Sequence, residues 1–311
     1  MDTMMALRAH TRGGPEQLVY EQAPAPVPGP GEALVAVRAA AITFAELTWD
    51  QTWTTGDGRD RTPVIPAHEV AGTVAGLGAG AAGIAVGDEV YGLIDFNRNG
   101  AAAQYVTIPA ADLAAAPRSV PAAEAATLPL AALTAWQALA DHAVLQPGEK
   151  VLVLGGAGGV GVYAVQLAAG MGGRVTATGS NADAEFVRGL GAAEFVAARD
   201  AAAAGLTGFD VVIDTVSAAA SEAAWSTLRP GGRLVTLSVP PSQELAQRLG
   251  VKATFFVVTP DAAELAQLAG LTDAGRLRPV LSQQFPLSEG RRAFESGSRH
   301  RPPGKTVLIV A

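Results

Sequence analysis

Between residues 5 and 120 the apolar positions come in short runs broken by glycine and proline: EALVAVRAAAI (32–42), EVAGTVAGLG (69–78), GDEVYGLI (87–94) and AAAQYVTIP (101–109). Runs of this length with turn residues between them predict an all-β unit, a small barrel. The segment PAPVPGPGE (24–32) reads as rigid connecting chain. From about residue 122 the pattern changes. PAAEAATLPLAALTAWQALADHAVL (121–145) has helical spacing, and after it strand and helix alternate: strand 150–154, glycine turn 155–161, helix 160–171, strand 174–178. Strand DVVIDTV (210–216), a helix through Trp225 and strand GGRLVTLS (231–238) continue the series, with AARDAAAAGLTG (197–208) as a loop or short helix. Such alternation calls for a parallel sheet covered by helices, an α/β doubly wound domain. The closing segment from Arg278 holds a strand, a helix and a last strand, and its β character predicts a return to the first unit. The expected division is 1–121 with 281–311 for the β unit and 122–280 for the parallel-sheet unit, with a cleft between them.

A chain of 311 residues, 49% hydrophobic and 16% charged, is long and apolar enough for two cores. Its net charge of −7 gives nucleic acid no basic footprint. The absence of cysteine excludes disulfides, thiolate catalysis and cysteine-held metals. No leader peptide and no long apolar span is read from the sequence, so a cytoplasmic protein without a membrane partner is expected.

Gly156, Gly158 and Gly161 satisfy G-x-G-x-x-G between a strand and a helix. The glycines serve a tight turn, close approach of a pyrophosphate and close helix–strand packing, and the helix start offers N–H groups to the anion. Gly156, Ala157, Gly158, Gly159 and Val160 are therefore predicted to bind a dinucleotide. The next strand ends in Gly179, Ser180 and Asn181, where an NAD enzyme places an acid on the ribose. Without that acid there is room for the 2′-phosphate of NADP, with Ser180 and Asn181 as donors. Arg174 precedes the strand and Arg188 lies a helix away, so no cation follows closely.

These residues, with TPVIPAHEVAGTVAGLGAG (62–80), VGDEVYGLI (86–94), LPLAALTAWQAL (128–139), LRPGGRLVTL (228–237) and GKTVLIV (304–310), give a chain that resembles the medium-chain dehydrogenase/reductase superfamily. It is most similar to the zinc-free quinone oxidoreductase branch. The resemblance implies a GroES-like β-barrel domain plus a Rossmann domain and an NADPH cofactor. It also implies hydride delivery to a quinone or an α,β-unsaturated carbonyl, and a homodimer paired through KATFFVVTP (252–260). In the zinc enzymes AHE (67–69) carries a metal histidine whose two cysteine partners correspond here to Thr43 and Leu130, neither able to replace a thiolate. His68 and Glu69 are read instead as a hydrogen-bonded structural pair.

The same resemblance places Thr43 and Glu46 where the branch has Asn and Asp, either at the catalytic site or in structural roles. Trp49 and Trp53 lie four apart, and one of them is expected to line the acceptor pocket. Ser238, Val239, Phe255 and Phe256 are expected beside the nicotinamide, Val216 beside the cofactor, Thr134 at its ribose or phosphate, and Lys305 as added positive charge there. Asp95, Asn97 and Arg98 form a substrate-side loop or a surface turn, and Tyr91 and Tyr105 are read as core. Two rival readings remain: an enoyl reductase of polyketide or acyl-thioester intermediates, and a non-enzymatic NADPH-binding regulator.

Overall fold

The computed structural model describes residues 3–201, 204–217, 220, 223–298 and 302–310. The chain divides into two compact units, Met1–Leu130 with Thr259–Gly275 and Pro279–Ala311, and Ala131–Val258 with Arg276–Arg278.

In the first unit, β1 (Thr3–Ala9) and β2 (Leu18–Pro24) form an antiparallel pair. A seven-stranded sheet is built from β3 (Glu32–Ile42), β4 (Glu69–Leu77), β5 (Glu89–Leu93), β7 (Leu113–Ala115), β14 (Leu281–Pro286) and β15 (Lys305–Ile309), in the order β14-β15-β3-β4-β5-β7, while β6 (Tyr105–Pro109) pairs with β3. The first half of β3 alternates between buried and less buried positions, as expected of a sheet with one wet face, and its last four residues are all buried. The C-terminal strand β15 runs antiparallel to β3, with Thr306 opposite Ile42 and Val307 opposite Ala41. The return of the chain end to the first unit thus follows the apolar run TVLIV.

The second unit is a six-stranded parallel sheet of β8 (Lys150–Leu154), β9 (Arg174–Gly179), β10 (Glu194–Ala197), β11 (Phe209–Asp214), β12 (Leu228–Thr236) and β13 (Lys252–Phe255), ordered β10-β9-β8-β11-β12-β13. Its two central strands carry unbroken apolar runs, VLVL (151–154) in β8 and VVI (211–213) in β11, as expected where both faces are covered. The order reverses between β8 and β11, the switch point at which such sheets bind ligands. The helix Gly161–Gly170 follows β8 and packs against helix Ala131–Gln137.

The boundaries differ from those expected at 121/122 and 280/281. Helix Ala122–Ala125 packs on β3 and β4, which keeps residues up to Leu130 with the β unit. Helix Ala262–Asp273 packs on β7, where the Tyr91 hydroxyl donates to the Leu265 carbonyl at 2.5 Å, so Thr259–Gly275 belongs there as well. Around Trp225, residues 220, 223 and 224 are helical and lead into the 3-10 turn Trp225–Thr227, in keeping with the expected helix; 218, 219, 221 and 222 lie outside the described residues. No helix among the described residues is long and apolar enough to cross a membrane.

Candidate active site

The glycine turn begins at Gly155, whose φ of +83° lies in the left-handed region open to glycine. A Cβ on Gly161 would stand 1.9 Å from the Gly155 carbonyl oxygen, and one on Gly156 would stand 2.9 Å from the Ala177 Cβ. Those two glycines serve helix–strand packing. A Cβ on Gly158 would meet only the Gly155 oxygen, at 3.2 Å, so that position faces open space. The Ala157, Gly159 and Val160 N–H groups bond nothing among the described residues, and all three residues are half-buried. A bare backbone with free donors at a helix start fits a pyrophosphate.

Beside the turn lies a cavity of about 710 Å³, lined by Gly155, Thr178, Gly179, Ser180, Leu206 and Val216 among others. Its walls are largely apolar and, among the described residues, include no carboxylate, a surface suited to an adenosine moiety. Ser180 caps the turn Asn181–Asp183 by accepting the Ala182 N–H at 3.4 Å, which leaves its own hydroxyl hydrogen free to donate outward. Of the other residues expected at the cofactor, Asn181, Ser238 and Val239 are exposed, Thr134 is buried in its helix, and none lines the cavity. The Val239 carbonyl accepts from the Thr236 hydroxyl at 2.6 Å. Phe255 ends the edge strand β13, and Phe256 packs against His142 with ring centroids 4.2 Å apart.

In the first unit a second group of polar residues gathers where β3, β4 and β15 meet. The register places Ala41 opposite Glu69 and Val307 opposite Ala41, so residues two along, Thr43 and Lys305, fall on the same face as Glu69. The Lys305 ammonium contacts Glu69 Oε1 at 2.5 Å and donates to Thr43 Oγ1 at 3.1 Å. Glu69 Oε2 accepts the Leu130 N–H at 2.9 Å. Lys305 was expected to add charge at the cofactor; it is 6% exposed, and its charge is held by Glu69. The expected pairing of His68 with Glu69 does not occur, because neighbouring residues at a strand start point to opposite faces. His68 Nδ1 has no hydrogen-bond partner among the described residues.

Glu46 lies in the 3-10 turn Glu46–Thr48 and is buried. Both its carboxylate oxygens face the Ala67 N–H, at 3.1 and 3.2 Å, and burial raises its pKa to about 8. Burial also lowers the His68 pKa to about 4, so this imidazole is neutral. The His68 ring stands edge-on to Phe96 at 5.2 Å, and Phe96 edge-on to Trp49 at 5.3 Å. Trp53 is core: its indole N–H donates to the Leu47 carbonyl at 2.9 Å. The half-buried Trp49 is thus the tryptophan left to form an open aromatic wall.

Two participants had no sequence signal, Phe96 and Arg61. The Arg61 guanidinium donates to the carbonyls of Phe96 at 2.8 Å and Arg98 at 2.6 Å, and also to that of Gln51, fastening the Trp49 turn to the Phe96 loop. Asp95 and Asn97 close a surface turn, and Arg98 pairs with Glu32 at 2.5 Å. Tyr91 is fully buried, in keeping with its reading as core, and Tyr105 is half-buried against the core of the β unit.

The residues at the AHE segment do not fit a catalytic zinc. Thr43 and Leu130 offer no anionic ligand, the chain has no cysteine, and no group of three or more His, Asp or Glu among the described residues is arranged to hold a metal.

Residues 29–118 match the family described as alcohol dehydrogenase GroES-like domain, and residues 190–308 match zinc-binding dehydrogenase. A probable zinc-binding oxidoreductase, mitochondrial, of Arthroderma benhamiae is 32% identical over 94% of this chain and 93% of its own length. The spectinabilin polyketide synthase system protein NorB of Streptomyces orinoci is 35% identical over 93% of this chain, which spans only 14% of that protein. Among solved structures, the quinone oxidoreductase from Coxiella burnetii superposes with a TM-score of 0.91 at 28% identity, covering 99% of this chain and all of the other.

Proposed function

This chain belongs to the medium-chain dehydrogenase/reductase superfamily, NAD(P)-dependent oxidoreductases, in its zinc-independent quinone oxidoreductase-like branch, and from that premise we propose that it is an NADPH-dependent reductase of quinones or α,β-unsaturated carbonyl compounds. The observation that carries the reading is the glycine turn, with N–H groups that bond nothing among the described residues, beside a cavity whose described lining holds no carboxylate. An acid there would accept ribose hydroxyls and repel a 2′-phosphate; Ser180 instead presents a hydroxyl. The bound nicotinamide supplies a hydride.

The chain's own residues bind, orient and shield. With no ligand set for a Lewis acid among the described residues, the reading takes an acceptor that is already electron-poor, as quinones and enones are. The Trp49 and Phe96 rings offer a flat apolar surface to a planar acceptor and keep water from it. What remains for the protein is to hold the reactants together and to stabilise charge arising on the acceptor oxygen.

The second reading, reduction of an enoyl thioester, is favoured by the likeness to a polyketide synthase protein. The strand β13 lies at the edge of its sheet with Val257 exposed just beyond it, which supports a homodimer formed by strand pairing. Calorimetry with NADPH and NADH, then oxidation of the preferred coenzyme by quinones, enones and enoyl thioesters, tests the proposal. Tighter binding of NADH overturns the coenzyme assignment. Turnover of thioesters alone selects the second reading, and binding without turnover of any acceptor leaves a nucleotide-binding protein that is no enzyme.

A further inference from the structure

Three elements distant in sequence bring Glu69, Lys305 and Thr43 into one line, and only the last reaches the surface. Glu69 and Lys305 are buried, whereas Thr43 is half-buried. A carboxylate and an ammonium are costly to remove from water, so such a pair is retained where its geometry is satisfied on both sides. Here Glu69 Oε2 accepts the Leu130 N–H, Oε1 stands 2.5 Å from the Lys305 ammonium as an ion pair, and Lys305 donates onward to Thr43.

The direction of the last bond is fixed by chemistry. An ammonium has hydrogens and no lone pair, so Thr43 Oγ must be the acceptor of the 3.1 Å contact. The threonine hydroxyl hydrogen is then turned away from Lys305. A hydroxyl that accepts from a buried cation is a stronger donor than an isolated one, because the bonds polarise in series.

We propose that the Thr43 hydroxyl donates a hydrogen bond to the acceptor oxygen on which negative charge develops, and that Lys305, held by Glu69, is the positioning residue that aims and polarises it. This rests on the reductase reading above and assigns Lys305 to the acceptor rather than to a coenzyme phosphate. No proton transfer is required of the triad; the donor is fixed before charge arises, which is what makes such groups effective.

The test uses three variants of the full chain: T43V, which keeps the shape and removes the donor; T43S, which restores it; and K305M/E69Q, which removes both charges together. Each is read in three ways: the pKa of bound 4-nitrophenol, a phenolate probe needing no coenzyme; kcat and KM for a quinone; and the NADPH Kd. Wild type and T43S are expected to hold the probe with its pKa lowered by about one unit. T43V and K305M/E69Q are expected to lose that shift and to lower kcat about 100-fold, with the NADPH Kd unchanged. Adding T43V to K305M/E69Q should cost little more, since the residues act as one unit.

An unshifted kcat and probe pKa in T43V overturn the proposal, and this variant decides alone should K305M/E69Q not fold. Folded K305M/E69Q that behaves as wild type removes Lys305 from the assignment, as does a weakened NADPH Kd with acceptor kinetics intact. Failure of the wild type to bind NADPH or reduce any acceptor sinks the reductase reading instead, and the coenzyme-free probe still judges the triad.

Discussion

Glu46 holds Ala67 in a left-handed conformation: the carboxylate oxygens lie 3.1 and 3.2 Å from the Ala67 nitrogen, and Ala67 has φ of +71°. A left-handed alanine costs about 1 kcal/mol, and the buried bond to Glu46 offsets it. The bend fixes where the chain turns from Pro66 into β4, and with it the placement of His68 and Glu69. A67G is therefore expected to be tolerated, with a melting temperature at or slightly above wild type. A67V, which adds a branched side chain to the same φ at a fully buried site, is expected to lose about 2 kcal/mol or more in denaturant titrations. Equal stability of the two variants would show that the bend is unstrained.

The pH dependence of stability follows from Glu46 and His68. Between about pH 4.5 and 8 the folded chain keeps a proton on Glu46 that the unfolded chain releases, so stability falls as pH rises through this window. His68 acts oppositely. Between pH 4 and 6.5 the unfolded chain takes up a proton that buried His68 refuses, so stability falls as pH drops. The slopes oppose below pH 6.5, and above it Glu46 is the one of the two that acts, by at most about 1.4 kcal/mol per pH unit. The melting temperature should drop from pH 6.5 to 8 in wild type and stay level in E46Q, whose neutral amide has no proton to lose. A wild-type curve as flat as that of E46Q would place the Glu46 titration elsewhere.

The parts of this architecture legible in the sequence were those carried by short-range pattern. Apolar runs marked β3, β4, β8 and β11, the glycine spacing marked the turn, and the missing acid after β9 was plain at Ser180. The Lys305–Glu69–Thr43 line was not legible, because it depends on the register between the last strand and β3, which no local spacing encodes. Adjacency misled at His68 and Glu69, where chain neighbours face opposite ways. Arg61 sits in TTGDGRDRTP, where every residue reads as a solvated turn, and its three carbonyl partners come from the short helix Asp50–Trp53 and from the loop at Phe96 and Arg98, which meet only in space.

Arg61 accordingly makes a specific expectation. Its planar fork binds carbonyls of two loops at once, and a lysine has a single nitrogen to offer. R61K is expected to fold but to release Phe96 from Trp49, raising KM for planar quinones several-fold while a small acyclic enone is little affected. The ratio of kcat/KM for the two acceptors reads the effect. A ratio unchanged from wild type would mean that the aromatic wall does not contact the acceptor.

Gly158 and Gly161 separate binding from folding within one motif. A methyl on Gly161 would stand 1.9 Å from the Gly155 oxygen, well inside contact distance, so the strand–helix junction must open to admit it. G161A is expected to lose about 2–4 kcal/mol of stability, or to be recovered only in aggregates. A methyl on Gly158 meets one atom, at 3.2 Å, and otherwise projects into the space where the pyrophosphate is expected. G158A should therefore melt close to wild type, yet bind NADPH at least about tenfold more weakly, equivalent to about 1.4 kcal/mol. Calorimetry on the folded variant checks this directly, because the loss must appear in coenzyme affinity and not in the acceptor KM. If G158A bound NADPH as tightly as wild type, the bare backbone at this position would be a packing feature, and the phosphates would have to lie elsewhere.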